Sequence, residues 1–259
     1  MHDLTVPRYG ITGTDTGIGK TVVACALAVR ARQLGIRVAA MKPVESGIDA
    51  RGVPNALPPS DAHRLQWACG GGDALSLMRP YVLEEPLAPM VAAQRAGVTI
   101  DLDVLDHACR TLATDRDLLL VEGAGGLLVP ITPTFSFLDL FARWRCPLII
   151  VAGNRLGVLN HVLLTVRAAQ SAQVPVRAVI LSDGADGEPG LAEVTNFEAL
   201  ATLLPQIPRY RFPWVDRIDD ADTLASAAQG SGFDAILLDH RAVLSSGVPA
   251  GLFPPSITA

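Results

Sequence analysis

A glycine-rich segment near the start of the chain has the residue types and spacing needed to bind phosphate groups. It runs from Gly13 to Thr21, after a short apolar run and before a helix-length stretch. In this context, glycines let backbone N–H groups turn toward phosphate oxygens, and the helix N-terminus adds partial positive charge. Lys20 would bind the β- and γ-phosphates, and the Thr21 hydroxyl would bind magnesium. The segment predicts a P-loop, although five residues rather than the usual four separate Gly13 from Gly19; an ordinary turn with an incidental lysine is the alternative.

Two acidic residues stand where further magnesium ligands are needed. Glu122 directly follows the apolar run Leu118–Val121, and ligands bind at the carboxyl ends of the strands in open α/β sheets. Asp61 follows Ser60 and opens a helix-length stretch. Alternatively, Glu122 is an ordinary loop carboxylate and Asp61 is a helix cap or an acid in the first turn of a helix. The glycine-rich tract after Glu122, Gly123–Gly126, would let the backbone approach a ligand closely.

Short apolar runs alternate with amphipathic stretches of helix length, as is typical of a parallel sheet covered by helices. Because crossover connections are almost always right-handed, we predict an α/β fold of P-loop NTPase type, with a doubly wound, mostly parallel sheet and helices on both faces. The predicted strands are Arg8–Thr12, Arg37–Met41, Leu118–Val121, Pro147–Ala152, Val176–Leu181 and Ala235–Leu238. The predicted helices are Lys20–Leu34, Asp61–Ala68, Leu102–Ala113, Phe137–Trp144, Val158–Ala172, Leu191–Leu203 and Asp222–Gln229.

Composition narrows the class of protein. The 259 residues are 49% hydrophobic and 18% charged, which favours a packed globular core. A net charge of −5 gives no sign of a nucleic-acid-binding face. No basic-then-apolar leader or membrane-spanning apolar run is evident, so we expect no membrane association and a cytoplasmic location. The scattered cysteines predict free, buried or half-buried thiols rather than a zinc or redox site; they are Cys25, Cys69, Cys109 and Cys146.

The domain organisation predicted from these patterns is simple. Gly and Pro enrichment marks Gly47–Ser60 as a loop, and Ser182–Gly190 is interpreted in the same way. No linker divides the chain, so we predict a single domain over residues 1–259. The tail from about Ser245 is a candidate for disorder.

Several of these segments together resemble the dethiobiotin synthetase family. They occur in the family's order from about residue 8 to residue 215. A P-loop alone is shared by many enzymes, whereas Lys-Pro-Val-x-Ser-Gly followed by Val-Glu-Gly-Ala-Gly-Gly is much more selective. The segments that carry the resemblance are Gly13–Thr21, Lys42–Gly47, Ser60–Asp61, Val121–Gly126 and Leu156–His161.

The resemblance implies a reaction of biotin biosynthesis. In the family, 7,8-diaminopelargonate, CO2 and ATP give dethiobiotin, ADP and phosphate, through a carbamate and a carbamic–phosphoric anhydride. Lys42, Lys20 and Thr16 would be the catalytic residues, and Ser46 would contact the substrate. Magnesium would bind Thr21, Asp61 and Glu122, with ATP as co-substrate.

The resemblance also implies a homodimer and a nucleotide site. In the family, the helix start matching residues 157–160 comes from the neighbouring subunit and holds the substrate carboxylate; from sequence alone, Asn160 could equally be a helix cap. The substrate-binding set therefore also includes Gly157, Val158, Leu159 and Asn160. The implied nucleotide-binding set is Gly17, Ile18, Gly19, Lys20, Thr21, Val22, Asp61, Glu122, Gly123, Ala124, Gly125, Ser182, Asp183, Pro213, Trp214 and Val215.

One departure and two alternatives stay open at this point. Ser182 stands where the family often has Asn, and a hydroxyl lacks the paired donor and acceptor of an amide, so adenine selectivity is expected to be loose. A regulatory or partitioning ATPase of the P-loop group is one alternative, but such proteins typically carry a second lysine where this chain has Asp15. An ATP-dependent amidoligase of corrinoid synthesis is the other.

Overall fold

A computed structural model describes residues 6–48, 60–184 and 189–238. The strands are β1 Arg8–Gly13, β2 Val38–Met41, β3 Val44–Ser46, β4 Tyr81–Leu83, β5 Leu118–Gly126, β6 Pro130–Thr132, β7 Phe135–Ser136, β8 Leu148–Gly153, β9 Val176–Ser182 and β10 Arg209–Phe212. The helices are α1 Lys20–Gln33, α2 Asp61–Ala68, α3 Leu75–Met78, α4 Pro89–Ala96, α5 Leu102–Ala113, α6 Phe137–Arg143, α7 Val158–Ser171, α8 Leu191–Leu203, α9 Ala221–Gly230 and α10 Asp234–Leu238.

Six strands form a central parallel sheet in the order β10-β9-β8-β1-β5-β2. The first described strand, β1, lies inside this sheet between β8 and β5, and later strands lie on both sides of it. The carboxyl ends of β1, β2, β5, β8 and β9 therefore lie along one edge, around the point where the strand order reverses. The predicted doubly wound α/β fold is confirmed.

The sheet is buried on both faces, as its apolar strands require. All four residues of β2 are buried, and so are residues 148–152 of β8. Helix α6 packs closely on β1: a Cβ atom at Gly10 would lie 2.6 Å from Phe141 Cδ1. This contact explains a glycine inside a central strand, where the residue otherwise weakens packing.

One predicted strand is wrong. Residues 235–238 belong to helix α10, and the sixth strand of the sheet is β10 instead. A short apolar run cannot by itself be distinguished from a buried helical segment. Helix α10 is held against α1 by Asp234, which accepts from Arg30 Nε at 2.8 Å and Arg30 Nη2 at 2.7 Å.

The remaining predictions about the chain have mixed outcomes. The cysteines are free thiols, three buried and one partly exposed, as predicted. Within the described ranges, none of the helices is long and apolar enough to cross a membrane. Most of the predicted loop Gly47–Ser60, residues 185–188 of the predicted loop Ser182–Gly190, and the tail from Ser245 lie outside the described residues. A single domain over 1–259 stays a prediction.

Candidate active site

The P-loop connects the end of β1 to the start of α1 and folds around its own lysine. Lys20 Nζ donates to the Asp15 carbonyl oxygen at 2.7 Å. A Cβ atom at Gly13 would lie only 2.9 Å from Lys20 Nζ, and Gly19, the N-cap of α1, has a φ of 93° that favours glycine. Burial lowers the pKa of Lys20 to about 8, against the attraction of Glu122. The backbone thus leaves a cationic, glycine-lined turn at the edge of the sheet.

Lys42 lies at the centre of an acidic cluster beside this loop. Its Nζ donates to Glu122 Oε1 at 2.6 Å and to Asp61 Oδ2 at 2.7 Å. Thr21 Oγ1 donates to the same Glu122 oxygen at 2.8 Å. The structure therefore brings together four residues predicted from separate parts of the sequence: the P-loop threonine, the lysine after β2, the first residue of α2 and a carboxylate in the middle of β5. This strand continues to Gly126, so Glu122 lies within it and does not follow it as the apolar run Leu118–Val121 predicted.

The charges of this cluster depend on one another. Burial alone would lower the pKa of Lys42, but the carboxylates of Glu122 and Asp61 outweigh it and raise that pKa. Burial would raise the pKa of Asp61, but Lys42 lowers it overall. Burial also raises the pKa of Glu122, which is 1% exposed, against the attraction of Lys42. The buried ammonium and its carboxylates are therefore a tightly coupled set of charges.

These residues fit a magnesium ion bound with a nucleotide. Glu122 Oε2 is buried without a hydrogen-bond partner, so a ligand oxygen is available. No group of three or more His, Cys, Asp or Glu side chains suited to a metal occurs in the described ranges. Magnesium does not need one, since it keeps several waters and is held by one or two carboxylates and by phosphates. Thr21, Asp61 and Glu122 match that requirement.

The glycine tract at the end of β5 lies against the P-loop. Gly126 is paired with Gly13 across the two strands. Gly125 has a φ of 68°, and a Cβ atom there would lie 3.0 Å from Val129 Cγ2 and 3.4 Å from Thr16 Oγ1. Thr16 itself is exposed. Gly123 and Ala124 precede this contact in the same strand.

The predicted nucleotide-side residues lie at the ends of β9 and β10. Ser182 contacts the P-loop, because a Cβ atom at Gly19 would lie 2.7 Å from its Oγ. Trp214 is 53% exposed and donates through Nε1 to Asp216 Oδ1 at 2.6 Å, whereas the neighbouring Val215 is buried. An exposed tryptophan here offers a flat apolar surface rather than a core contact. In the remainder of the set, Gly17 and Pro213 are exposed, and Ile18 and Val22 are partly exposed.

Two residues of this region were missed from the sequence. Asn154 follows β8 and donates to Asp183 Oδ1 at 2.8 Å. Arg211, on β10, donates through Nε to Asp183 Oδ2 at 2.8 Å. Both contacts hold the Asp183 carboxylate in place. Asn154 could have been identified as a polar residue that follows a buried apolar strand. Arg211 could not, because β10 was not predicted and no sequence pattern placed Arg211 at the site.

The predicted substrate-binding residues occupy two places. Ser46 ends β3, four residues after Lys42 in the chain. Gly157 is the N-cap of α7, so Val158, Leu159 and Asn160 form its first turn and Asn160 is not the cap. Arg155 Nη2 lies 2.9 Å from Asp15 Oδ2, which places the start of α7 beside the P-loop of the same chain.

Comparison with known proteins gives a consistent family. A family model described as an AAA domain matches residues 8–211. The ATP-dependent dethiobiotin synthetase BioD of Anaeromyxobacter dehalogenans (strain 2CP-C) is 40% identical over 205 residues, covering 79% of this chain and 88% of that protein. The protein of the same name from Caulobacter sp. (strain K31) is 38% identical over 233 residues, covering 88% and 98%. BioD 1 of Escherichia coli (strain K12) is 34% identical over 231 residues, covering 89% and 99%.

A solved structure shows the same fold at much lower sequence identity. The MinD cell division protein of Aquifex aeolicus matches with a TM-score of 0.50 and 13% identity, covering 95% of this chain and 100% of that one. At that identity the likeness supports a P-loop NTPase fold and says nothing of activity. The curated relatives, by contrast, align over nearly their whole length, and their identity of 34–40% confirms the resemblance inferred from the motifs. By these matches and by its P-loop and acidic cluster, the chain belongs to the ATP-dependent dethiobiotin synthetase family.

Proposed function

We propose that this enzyme uses ATP to carboxylate 7,8-diaminopelargonate and close its ureido ring, giving dethiobiotin, ADP and phosphate. The observation that carries the proposal is the meeting of Lys42, Thr21, Asp61 and Glu122 at one edge of the sheet, with Lys20 near enough to interact electrostatically with Glu122, in a member of this family. Free thiols at all four cysteines support a reducing compartment, the cytoplasm.

The reaction needs positioning and charge neutralisation more than covalent help from the protein. One substrate amine first adds to CO2 and becomes a carbamate. A carbamate oxygen then attacks the γ-phosphorus, and ADP leaves. The second amine attacks the carbonyl carbon of the resulting anhydride, so that a second C–N bond forms and phosphate is released.

The chain's own residues supply cations and hydrogen bonds to these steps. Lys20, at the base of the P-loop, would bind the β- and γ-phosphates, and Lys42 would stabilise the carbamate and the transferred phosphoryl group. Thr16 and Ser46 would orient the diamine. Thr21, Asp61 and Glu122 would hold magnesium, which when bound neutralises phosphate charge.

A product assay tests the proposal against its alternatives. Purified protein is incubated with ATP, magnesium, bicarbonate and the diamine, and ADP and dethiobiotin are measured together. Equal amounts of both, absent without the diamine, support the synthetase. ATP hydrolysis indifferent to the diamine favours a regulatory switch, and turnover only with a larger carboxylic acid favours an amidoligase.

We further propose that the active unit is a homodimer in which α7 completes the partner's site. The first N–H groups of a helix lack partners within the helix, which suits a carboxylate, and Gly157 and Asn160 at the start of α7 are exposed. Exposed apolar residues lie around it: Leu156 is 86% exposed and Leu164, on α7, is 58% exposed. Burial of such residues between two copies would be favourable.

A mixed-dimer experiment tests this arrangement. Lys42→Ala removes the catalytic amine, and Asn160→Asp puts a carboxylate where the substrate's carboxylate would bind; each homodimer should therefore be nearly inactive. If α7 serves the partner's site, co-expressed variants should regain up to about a quarter of wild-type activity, because half the chains enter mixed dimers and one of the two sites in each is intact. Activity that stays at the homodimer level would mean that each chain uses its own α7.

Loose nucleotide selectivity is the second prediction for this site. Asp183 is already bound by Asn154 and Arg211, so its carboxylate does not replace the amide that Ser182 lacks. Turnover with GTP or CTP should therefore be comparable to that with ATP. Ser182→Asn should shift kcat/KM toward ATP by about tenfold, the value of one good hydrogen bond. Ser171→Asn, at the exposed end of α7, is the matched control; strict ATP dependence of the unmodified enzyme would refute the prediction.

A further inference from the structure

Glu45 is a buried carboxylate inside the Lys42–Gly47 motif, at the position that the family pattern leaves open. It lies on β3 and is 3% exposed. Its Oε1 accepts from the backbone N–H of Asp61 at 2.6 Å, and its Oε2 accepts from Arg79 Nη1 at 2.6 Å. Because side chains alternate along a strand, Glu45 points to the face opposite Ser46. Glu45 therefore contacts the backbone of Asp61, a predicted metal ligand, and not its carboxylate.

Arg79 ties the same corner together from a third segment of the chain. The Nη1 that binds Glu45 also donates to Ser60 Oγ at 2.9 Å, and Ser60 is the N-cap of α2. Arg79 directly follows α3, where the Met78 carbonyl accepts from the Lys42 backbone N–H at 2.7 Å. One ion pair thus links the strand after Lys42, the start of α2 and the end of α3.

Two physical effects make this link strong. The first N–H groups of a helix have no partner within the helix, so a carboxylate that accepts one of them holds the helix start and interacts favourably with its dipole. Removing one partner of a buried ion pair leaves the other charge desolvated, which is costly. Together they hold the Asp61 backbone, and with it the carboxylate that lies 2.7 Å from Lys42 Nζ.

We propose that Glu45, held by Arg79, is a positioning residue for Asp61 and thereby sets the affinity of the site for the metal of the metal–nucleotide complex. The proposal rests on the proposed function for the role of Asp61 as a metal ligand. It assigns Glu45 no contact with substrate, nucleotide or metal.

Glu45→Gln tests the proposal with little change of shape. The amide oxygen can still accept from Asp61, but the charge opposite Arg79 is lost. Mn²⁺ binding, followed by electron paramagnetic resonance with a non-hydrolysable ATP analogue, should weaken about tenfold, the lower end for losing a group that orients a metal ligand. Binding of the analogue without metal should be unchanged, a separation that general destabilisation would not produce.

Asp106→Asn is the matched control. Asp106, on α5, is another buried carboxylate paired with an arginine: it accepts from Arg143 Nη2 at 2.6 Å and from Trp144 Nε1 at 2.7 Å. The Asp106→Asn variant should lose thermal stability without losing Mn²⁺ affinity. A loss of Mn²⁺ affinity in Glu45→Gln no greater than in this control would overturn the proposal.

A double variant shows whether Glu45 acts through Asp61. Adding Glu45→Gln to Asp61→Ala should weaken Mn²⁺ binding little further, because the residue being positioned is already gone. Full additivity of the two losses would overturn the proposal. The readout also separates the two hypotheses: absence of dethiobiotin in the product assay refutes the proposed function, whereas the metal titration tests Glu45 without turnover.

Discussion

Replacing Lys42 with alanine should reduce dethiobiotin formation by about 100-fold or more while leaving ATP binding intact, because the buried cation proposed to stabilise the transferred charge is lost. The P-loop residues proposed to hold the nucleotide are not altered. Production of ADP together with dethiobiotin should therefore fall, but nucleotide affinity should not. A variant with normal product yield would remove Lys42 from the mechanism.

The sequence offers an unusually direct way to measure nucleotide binding in this variant. Lys20 and Lys42 are the only lysines in the chain, so Lys20 is the sole remaining lysine in Lys42→Ala. Its acylation by an amine-selective reagent, followed by mass spectrometry, should be blocked by ATP as effectively as in the unmodified protein. Loss of that protection would mean that the variant fails by losing nucleotide.

Stability provides the control for Lys42→Ala. Without metal, the variant leaves Glu122 buried and without its counter-charge, which should lower the free energy of unfolding by roughly 3 kcal/mol. Magnesium with ADP should restore most of this loss, because a bound cation then compensates the carboxylates. Lys42→Arg keeps a positive charge and should unfold near the wild-type temperature, so its activity separates charge from geometry.

Lys20→Ala should affect a step before the one that Lys42→Ala affects, because it should weaken nucleotide binding itself. The ammonium is enclosed by the P-loop, 2.7 Å from the Asp15 carbonyl oxygen, where the β- and γ-phosphates of a nucleotide would lie. We expect a raised Kd for ATP by calorimetry and turnover lower by about 100-fold or more.

A second substitution on the same helix is the control for Lys20→Ala. Arg32→Ala removes one positive charge from the exposed end of α1, where the arginine donates to the Ala68 carbonyl oxygen. It should bind ATP and turn over normally. Wild-type affinity and rate in Lys20→Ala would show that the loop does not bind phosphate through this residue.

Local sequence signals were sufficient for the loop and most of the fold. Gly17 and Gly19 adopt positive φ angles that favour glycine, and Lys20 directly follows Gly19. The residues that form the P-loop are therefore contiguous in the sequence and can be recognised there. Apolar runs such as Leu148–Ala152 identify buried strands because a strand covered on both faces must be apolar along its length. The same criterion failed at residues 235–238, where a short apolar run packs as a helix.

The amino-acid sequence by itself determined the phosphate-binding turn, the alternation of strands and helices, and the residue types that meet at the sheet edge. Only the tertiary structure decided which of them touch. Lys42 contacts Glu122, which lies 80 residues away in the chain, and Glu45 contacts Asp61 and Arg79. No local sequence pattern specifies these partners. Backbone preferences are properties of neighbouring residues, whereas the partner of a buried charge is chosen by the topology that brings distant strands and helices side by side.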